Sequence, residues 1–343
     1  MGSTHTLVLK RDGTVLAAGS NAHGQLGMDS ENYTIVTTFV EIAHGGVKAV
    51  AAGVGHSILM KEDGSVWSAG MNKYGQLGDG SSIDRHSFVQ VISRDAKAVA
   101  AGEKHSLVLM QSGSVWAAGY NVYGQLGDGS STRRSRFMQV ISSGAEAIAA
   151  GHEHSMVLKQ DGSVWTTGLN WSGQLGDGST DLKSIFVQVV SSGAAAIAAG
   201  CDHSMVLKQD GSVWMTGENK HGQLGDGTMT AKFMMHLVIH GAKAIAAGND
   251  HSMVLKQDGS LWVTGRNNYG QLGKRQITSS ASFVKVISGG LQAVAAGDWH
   301  SMVMKYDGSV WGTGRNMLGQ LGAGSTIPKN TYVRVLTPPQ CTY

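Results

Sequence analysis

The chain has 343 residues, with 49 glycines, only 3 prolines, 41% apolar residues and a net charge of +3. Glycine at about twice its usual share, with no Gly-X-Y period, excludes a collagen-like chain, and the apolar share excludes a disordered one. So small a charge gives no ground for nucleic-acid or membrane binding, and no apolar run approaches the roughly 18 residues that cross a bilayer.

In chain order, the first element is an apolar run from His5, followed by the turn pair Asp12-Gly13 and a second run ending at Gly19. A loop carrying Asn21 and Gly24-Gln25-Leu26-Gly27 comes next. The Gly-Gln-Leu-Gly string returns at Gly75, Gly124, Gly173, Gly222, Gly270 and Gly319, each time with an Asn three residues before it. A histidine keeps the same step, at His5, His56, His105, His154, His203, His251 and His300. Three markers in phase seven times, at a period of about 49, make residues 1–343 a single array with no second domain.

The unit 147–191 shows what one period contains. Ala147 to Gly151, His154 to Lys159, Val164 to Gly168 and Phe186 to Val190 are short runs bounded by glycine and turn residues. They read as strands, and none is long enough for a helix. Asp161-Gly162 between the second and third runs is a hairpin signal, expected to hold both central residues at positive φ. Four short strands cannot bury both faces alone, but seven such sheets packed face to face around an axis can. The expected fold is therefore all-β, a seven-bladed propeller of four-stranded antiparallel blades.

Two strands have distinctive chemistry. The Ala-rich strand, starting at Ala49, Ala98, Ala147, Ala196, Ala244 and Ala293, suits a crowded place where blades approach closely. The third strand carries Trp67, Trp116, Trp165, Trp214, Trp262 and Trp311, large enough to fill the wider gap between blades. The Ala-rich strand occurs six times and the other three seven times, so 27 strands are expected, not 28. The short blade should contain His5 to Gly19 and expose an edge able to pair with another chain. The tail from Thr337 to Tyr343 does not resemble the missing strand.

The patterns Ala-Ala-Gly-x-x-His-Ser/Thr, Asp-Gly-x-Val-Trp and Gly-x-Asn-x-x-Gly-Gln-Leu-Gly resemble the regulator of chromosome condensation repeat family, in all seven units. The usual Pro at the start of the fourth strand is replaced, for example by Ser87-Phe88-Val89. The resemblance implies the propeller but not one function. Members include a nucleotide exchange factor for a Ran-type small GTPase, a UV-B photoreceptor, a bacterial β-lactamase inhibitor and modules of ubiquitin ligases. In the exchange factor, acidic and His residues just before the repeat His contact the GTPase, and Asp202 and Asp250 stand there in this chain. That member also uses an inserted wedge, which the regular repeat spacing leaves no room for.

The repeated polar residues read as structural. One His per blade places the seven on a ring, not around one ion, so each is expected to bond a neighbouring backbone group. The Ser that follows six of the seven His points to the opposite face of its strand, which argues against a nucleophile and base pair. Gly-Gln-Leu-Gly-Asp-Gly lacks the Lys-Ser/Thr of a phosphate loop. No catalytic residue, metal or cofactor is expected.

Function should reside where the constant frame varies. Two residues lie between the Gly and the His of each unit: Ser3-Thr4, Val54-Gly55, Glu103-Lys104, His152-Glu153, Cys201-Asp202, Asn249-Asp250 and Asp298-Trp299. They should rim one end of the propeller, with Glu103, Lys104, Glu153, Asp202, Asp250, Asp298 and Trp299 docking a basic protein partner. The loops after Gly-Gln-Leu-Gly, such as Asp84-Arg85, Arg133-Arg134, Leu182-Lys183 and Lys274-Arg275-Gln276, are a second candidate surface. The expected function is a non-catalytic interaction scaffold, and the alternative is a guanine nucleotide exchange factor for a Ran-type GTPase. Two cysteines, Cys201 and Cys341, and no visible leader suggest a reducing compartment, cytoplasm or nucleus.

Overall fold

A computed structural model describes residues 1–29, 34–275 and 277–337. Among these, 27 strands form seven antiparallel sheets, one of three strands and six of four. Each sheet keeps its strands in sequence order from the axis outward. Blade 4 is representative: Ala145–Ala150 is innermost, then His154–Lys159, Val164–Gly168 and Lys183–Val190. No helix among the described residues is long and apolar enough to cross a membrane.

The innermost strands surround an axial cavity of about 260 Å³, lined by Ala51, Ala101, Ala150, Ala199, Ala247 and Ala296 among others. Six strands crowding one axis explain the small side chains. The second strand of blade 4 is buried from His154 to Leu158 on both faces, because a blade packs on each side of it. The contacts between blades are apolar. Met156, Leu158 and Val164 of blade 4 meet Ala194 and Val206 of blade 5, with Trp214 against them. Each buried Met, Leu or Val side chain here contributes roughly 1.5–3 kcal/mol. Trp165 is further fixed by its Nε1–H donating to Ser163 Oγ at 3.0 Å and by Lys159 Nζ 3.9 Å above the ring.

The hairpin turn differs from the expected one. Gly162 N donates to Lys159 O and Lys159 N donates to Ser163 O, both at 2.9 Å. Gly162 has φ +77°, while Asp161 does not have positive φ. The loop is thus a turn with one left-handed glycine, and Asp161 serves through its carboxylate, which accepts from Ser163 N and Oγ.

Blade 1 is the three-stranded one: His5–Leu9, Val15–Ser20 and Ile35–Ala43. Its innermost strand leaves Val8 and Leu9 half-exposed, where Val157 and Leu158 of blade 4 are buried. The ring closes. Gly324 N of blade 7 donates to Thr37 O of blade 1 at 2.9 Å, and Thr38 bridges Ala323. Residues 338–343, including Cys341, lie outside the described residues.

Candidate functional site

At one end of the channel, every blade is fastened to the next by the same three groups. His154 Nε2 meets Ser204 Oγ of blade 5 at 2.9 Å, and Ser204 Oγ donates to Gln174 O of blade 4 at 2.7 Å. The set repeats from His5 and Gln25 onto Ser57, and ends with His300 and Gln320 of blade 7 on Thr6 of blade 1. The histidines therefore bond a hydroxyl of the next blade, not a backbone group. Ser and His do pair, but between blades, and each hydroxyl is already committed to a carbonyl.

The loop after the third strand is also committed. Asn170 Nδ2 donates to Asp177 Oδ1, Ser179 O and Asp181 O, while its Oδ1 accepts from Leu175 N. Gln174 Oε1 accepts from Ser172 N. These side chains shape Gly-Gln-Leu-Gly from within and leave no phosphate cradle. The following segment leans on the outermost strand of the next blade, as in Gly178 N donating to Phe233 O. The second candidate surface is thus spread around the perimeter, one loop per blade, and Gln276 lies outside the described residues.

The variable pairs do rim one mouth. Successive pairs touch: Thr4 Oγ1 donates to Val54 O at 2.9 Å and Asn249 N to Asp298 O at 3.0 Å. Glu103, His152, Cys201 and Asp298 line the axial cavity. Glu153 and Asp202 sit farther out, in a recess of about 320 Å³ floored by Trp171, Ser172 and Gln174.

The five carboxylates are not bare. Lys104 Nζ lies 2.8 Å from Glu103 and 3.9 Å from Glu153. Asp202 accepts from Gln174 Nε2 at 3.0 Å, and Asp250 meets Arg266 at 3.2 Å. Asp298 stands 3.3 Å from His152 Nε2, an ion pair that spans the mouth from blade 7 to blade 4. Burial opposes charge on both partners, yet the pairing prevails: the Asp298 carboxyl is held below its usual range and the His152 ring well above its own. Glu153 is pushed up, first by burial and then by repulsion from Glu103 and Asp202.

Cys201 Sγ is 3.0 Å from His152 Nδ1, which superficially resembles a thiol and base. Burial pushes the thiol up to about 12, and its hydrogen faces Asp202 Oδ2 at 3.2 Å. That setting favours the thiol over the nucleophilic thiolate. Among the described residues no group of His, Cys, Asp and Glu is arranged to hold a metal ion.

An aromatic row escaped the sequence reading. Tyr74, Tyr120, Tyr123 and Trp171 stack edge to face across blades 2 to 4, with centroids 5.0, 6.1 and 5.4 Å apart. Lys104 Nζ lies 5.8 and 5.6 Å from the Tyr74 and Tyr120 rings. Trp171 is 65% exposed beside the recess. Opposite, Trp299 packs on Tyr269 with Arg266 5.0 Å from the Trp299 ring. The available signal was the recurrence of an aromatic immediately before Gly-Gln-Leu-Gly, at Tyr74, Tyr123 and Tyr269, with Trp171 one position earlier in its unit.

The Ultraviolet-B receptor UVR8 of Arabidopsis thaliana is 35% identical over 85 residues, covering 24% of this chain and 19% of the receptor. The chain spans less than a fifth of the length of the curated relatives it matches. Human WBSCR16 superposes with a TM-score of 0.86 at 22% identity, over 95% of this chain and 94% of that one. Prp20p from Saccharomyces cerevisiae, in a structure reported with its binding properties to Gsp1p and histones, gives 0.82 at 22% identity, over 97% of this chain and 88% of the other. At these identities both show the fold. A model of the Regulator of chromosome condensation (RCC1) repeat matches residues 1–25, 47–76, 96–125, 145–174, 194–223, 242–271 and 292–320, one segment in each blade. With all seven blades matched, the chain belongs to the regulator of chromosome condensation repeat family.

Proposed function

We propose that this chain is a non-catalytic, protein-binding propeller that docks a basic partner surface at the channel mouth. The observation carrying this reading is the recess at blades 4 and 5, where Glu153, Asp202 and Glu103 converge beside the exposed Trp171. Among the described residues Lys104 and His152 are the only cationic groups paired with those three carboxylates. An arginine or lysine entering there would relieve the repulsion at Glu153 and lie against an aromatic face. Lys104, Asp250, Asp298 and Trp299 set the rest of the rim. The test is titration of an arginine-rich peptide against the protein, read by tryptophan fluorescence. Binding should weaken with salt and fall at least tenfold in Glu153→Gln/Asp202→Asn. Unchanged binding in that variant moves the site away from the recess, and no binding by the wild type rejects a basic partner.

The second reading is guanine nucleotide exchange on a Ran-type small GTPase. It is supported by the fold shared with Prp20p, whose structure is reported with binding to Gsp1p. Catalytic amounts of this protein would then speed release of labelled GDP, and no acceleration removes the reading.

A further inference from the structure

The outermost strand of blade 5, Lys232–Ile239, departs from its six counterparts. Where Phe233 stands, the other blades carry Thr37, His86, Ser135, Ser184, Ala281 and Asn330. Where Leu237 pairs with Trp214, they carry Glu41, Gln90, Gln139, Gln188, Lys285 and Arg334. The frame thus folds six times with small or polar residues at these places, so apolar side chains there are not needed for folding. Phe233 and Leu237 are nevertheless 45% and 42% exposed, and Met234 between them is 67% exposed. Ile185, on the adjoining outermost strand of blade 4, is 59% exposed. Leu182 and Met229 extend the patch, so six of the thirteen large exposed apolar side chains among the described residues fall on this one stretch of rim.

The strand itself carries no free charge, and exposed Asp181 borders the patch beside Leu182. The two basic groups of the strand, Lys232 and His236, turn back to Asp226 at 3.3 and 3.4 Å. A surface of this kind is complemented by another apolar surface, not by a charged one. The chain itself supplies such a surface on every second copy. The strand is also the last of its sheet, and from Met235 to Ile239 its outer edge has no strand partner among the described residues. A two-fold axis beside it brings like side chains together and leaves both edges antiparallel.

We propose that this rim of blades 4 and 5 is a homodimer interface, occupied by the same rim of a second copy. The inference is independent of the reading of the channel mouth. It is tested by sedimentation equilibrium between about 1 and about 100 μM, where self-association must depend on concentration. The wild type should approach twice the chain mass. Phe233→Ser/Leu237→Gln, which copies Ser184 and Gln188 of blade 4, should stay monomeric, with the thermal melt the wild type shows at concentrations where it is itself monomeric. Ile327→Thr, which removes an exposed apolar residue from blade 7, should still dimerise. Should the double variant fail to fold, Met234→Ser, which copies Ser282 of blade 6, should weaken association at least tenfold. A wild type that is monomeric throughout overturns the proposal and gives the patch to an apolar segment of another protein. A dimer that survives both rim variants overturns it as well.

Discussion

Each hydroxyl of the ring accepts from an imidazole and donates to a carbonyl, which fixes the proton on the histidine. Because Ser204 Oγ gives its hydrogen to Gln174 O, His154 must donate from Nε2. Nδ1 is then a buried lone pair without a partner, in all seven blades. A second proton there would bring a charge into an apolar site with no acceptor. Burial accordingly pushes His154 and His203 down to about 3 and His56 and His251 to about 4. These pKa values lie below that of an unfolded histidine, near 6.5, so the unfolded chain takes up the protons first. The contribution of these ring histidines is complete above about pH 6.5 and falls below it, by roughly 1.4 kcal/mol per pH unit for each histidine. We expect steep acid unfolding, followed by circular dichroism, with a midpoint between about pH 4 and 6. A midpoint near pH 3 would mean that carboxylates, not the ring, control acid stability. The sequence showed these histidines to be structural but put Ser and His on opposite faces as an argument against pairing. That alternation is what lets His154 reach forward to blade 5 while Ser155 reaches back to Gln125 of blade 3. The partner lies in another repeat, beyond what spacing within one strand can reveal.

At the scale of the strand, glycine decides how closely blades approach. Gly151 ends the innermost strand of blade 4, and a Cβ there would stand 2.6 Å from Gly200 O and closer still to the His154 ring. Neither neighbour is free to move, since one is backbone and the other is held by Ser204. Gly144 has φ +81° but open space around it. Gly144→Ala should therefore cost only the roughly 1–2 kcal/mol of left-handed backbone. Gly151→Ala adds a clash to a packed core and should cost at least about 3 kcal/mol. Urea unfolding of the two variants checks the order, and equal losses would refute the close-approach argument. Strand positions and the short blade were legible because period-2 runs and turn residues act locally. The hairpin conformation was not, since Asp-Gly suits several turns and the strand pairing selects among them. The charge balance of the mouth was hidden for a related reason. Asp250 and Arg266 are 16 residues apart, and His152 and Asp298 are separated by three blades.

Across the whole molecule, closure is the feature that no single repeat specifies. Six of the seven joints lie between blades already linked by the chain, and the seventh lies between its two ends. There Thr6 Oγ1 meets His300 Nε2 at 2.8 Å and donates to Gln320 O at 2.6 Å, groups 294 and 314 residues away. Thr6→Val keeps the side-chain shape but leaves a buried donor and a buried acceptor unpaired, about 1–3 kcal/mol for each. Ser204→Ala breaks the same two bonds between blades 4 and 5. The two should differ in how the loss is distributed. When the joint at Ser204 weakens, the intervening chain and intact neighbours still hold blades 4 and 5 in place. When the joint at Thr6 weakens, blade 1 has no covalent link to blade 7 and its own innermost strand already lacks a neighbour on one side among the described residues. An array held by nearest-neighbour contacts opens first at such a boundary. Amide exchange in His5–Leu9 and His300–Lys305 should therefore rise more in Thr6→Val than exchange in His154–Lys159 and His203–Lys208 rises in Ser204→Ala. Equal protection in the two variants would mean that the ring opens only as a whole, with its ends no weaker than any other joint.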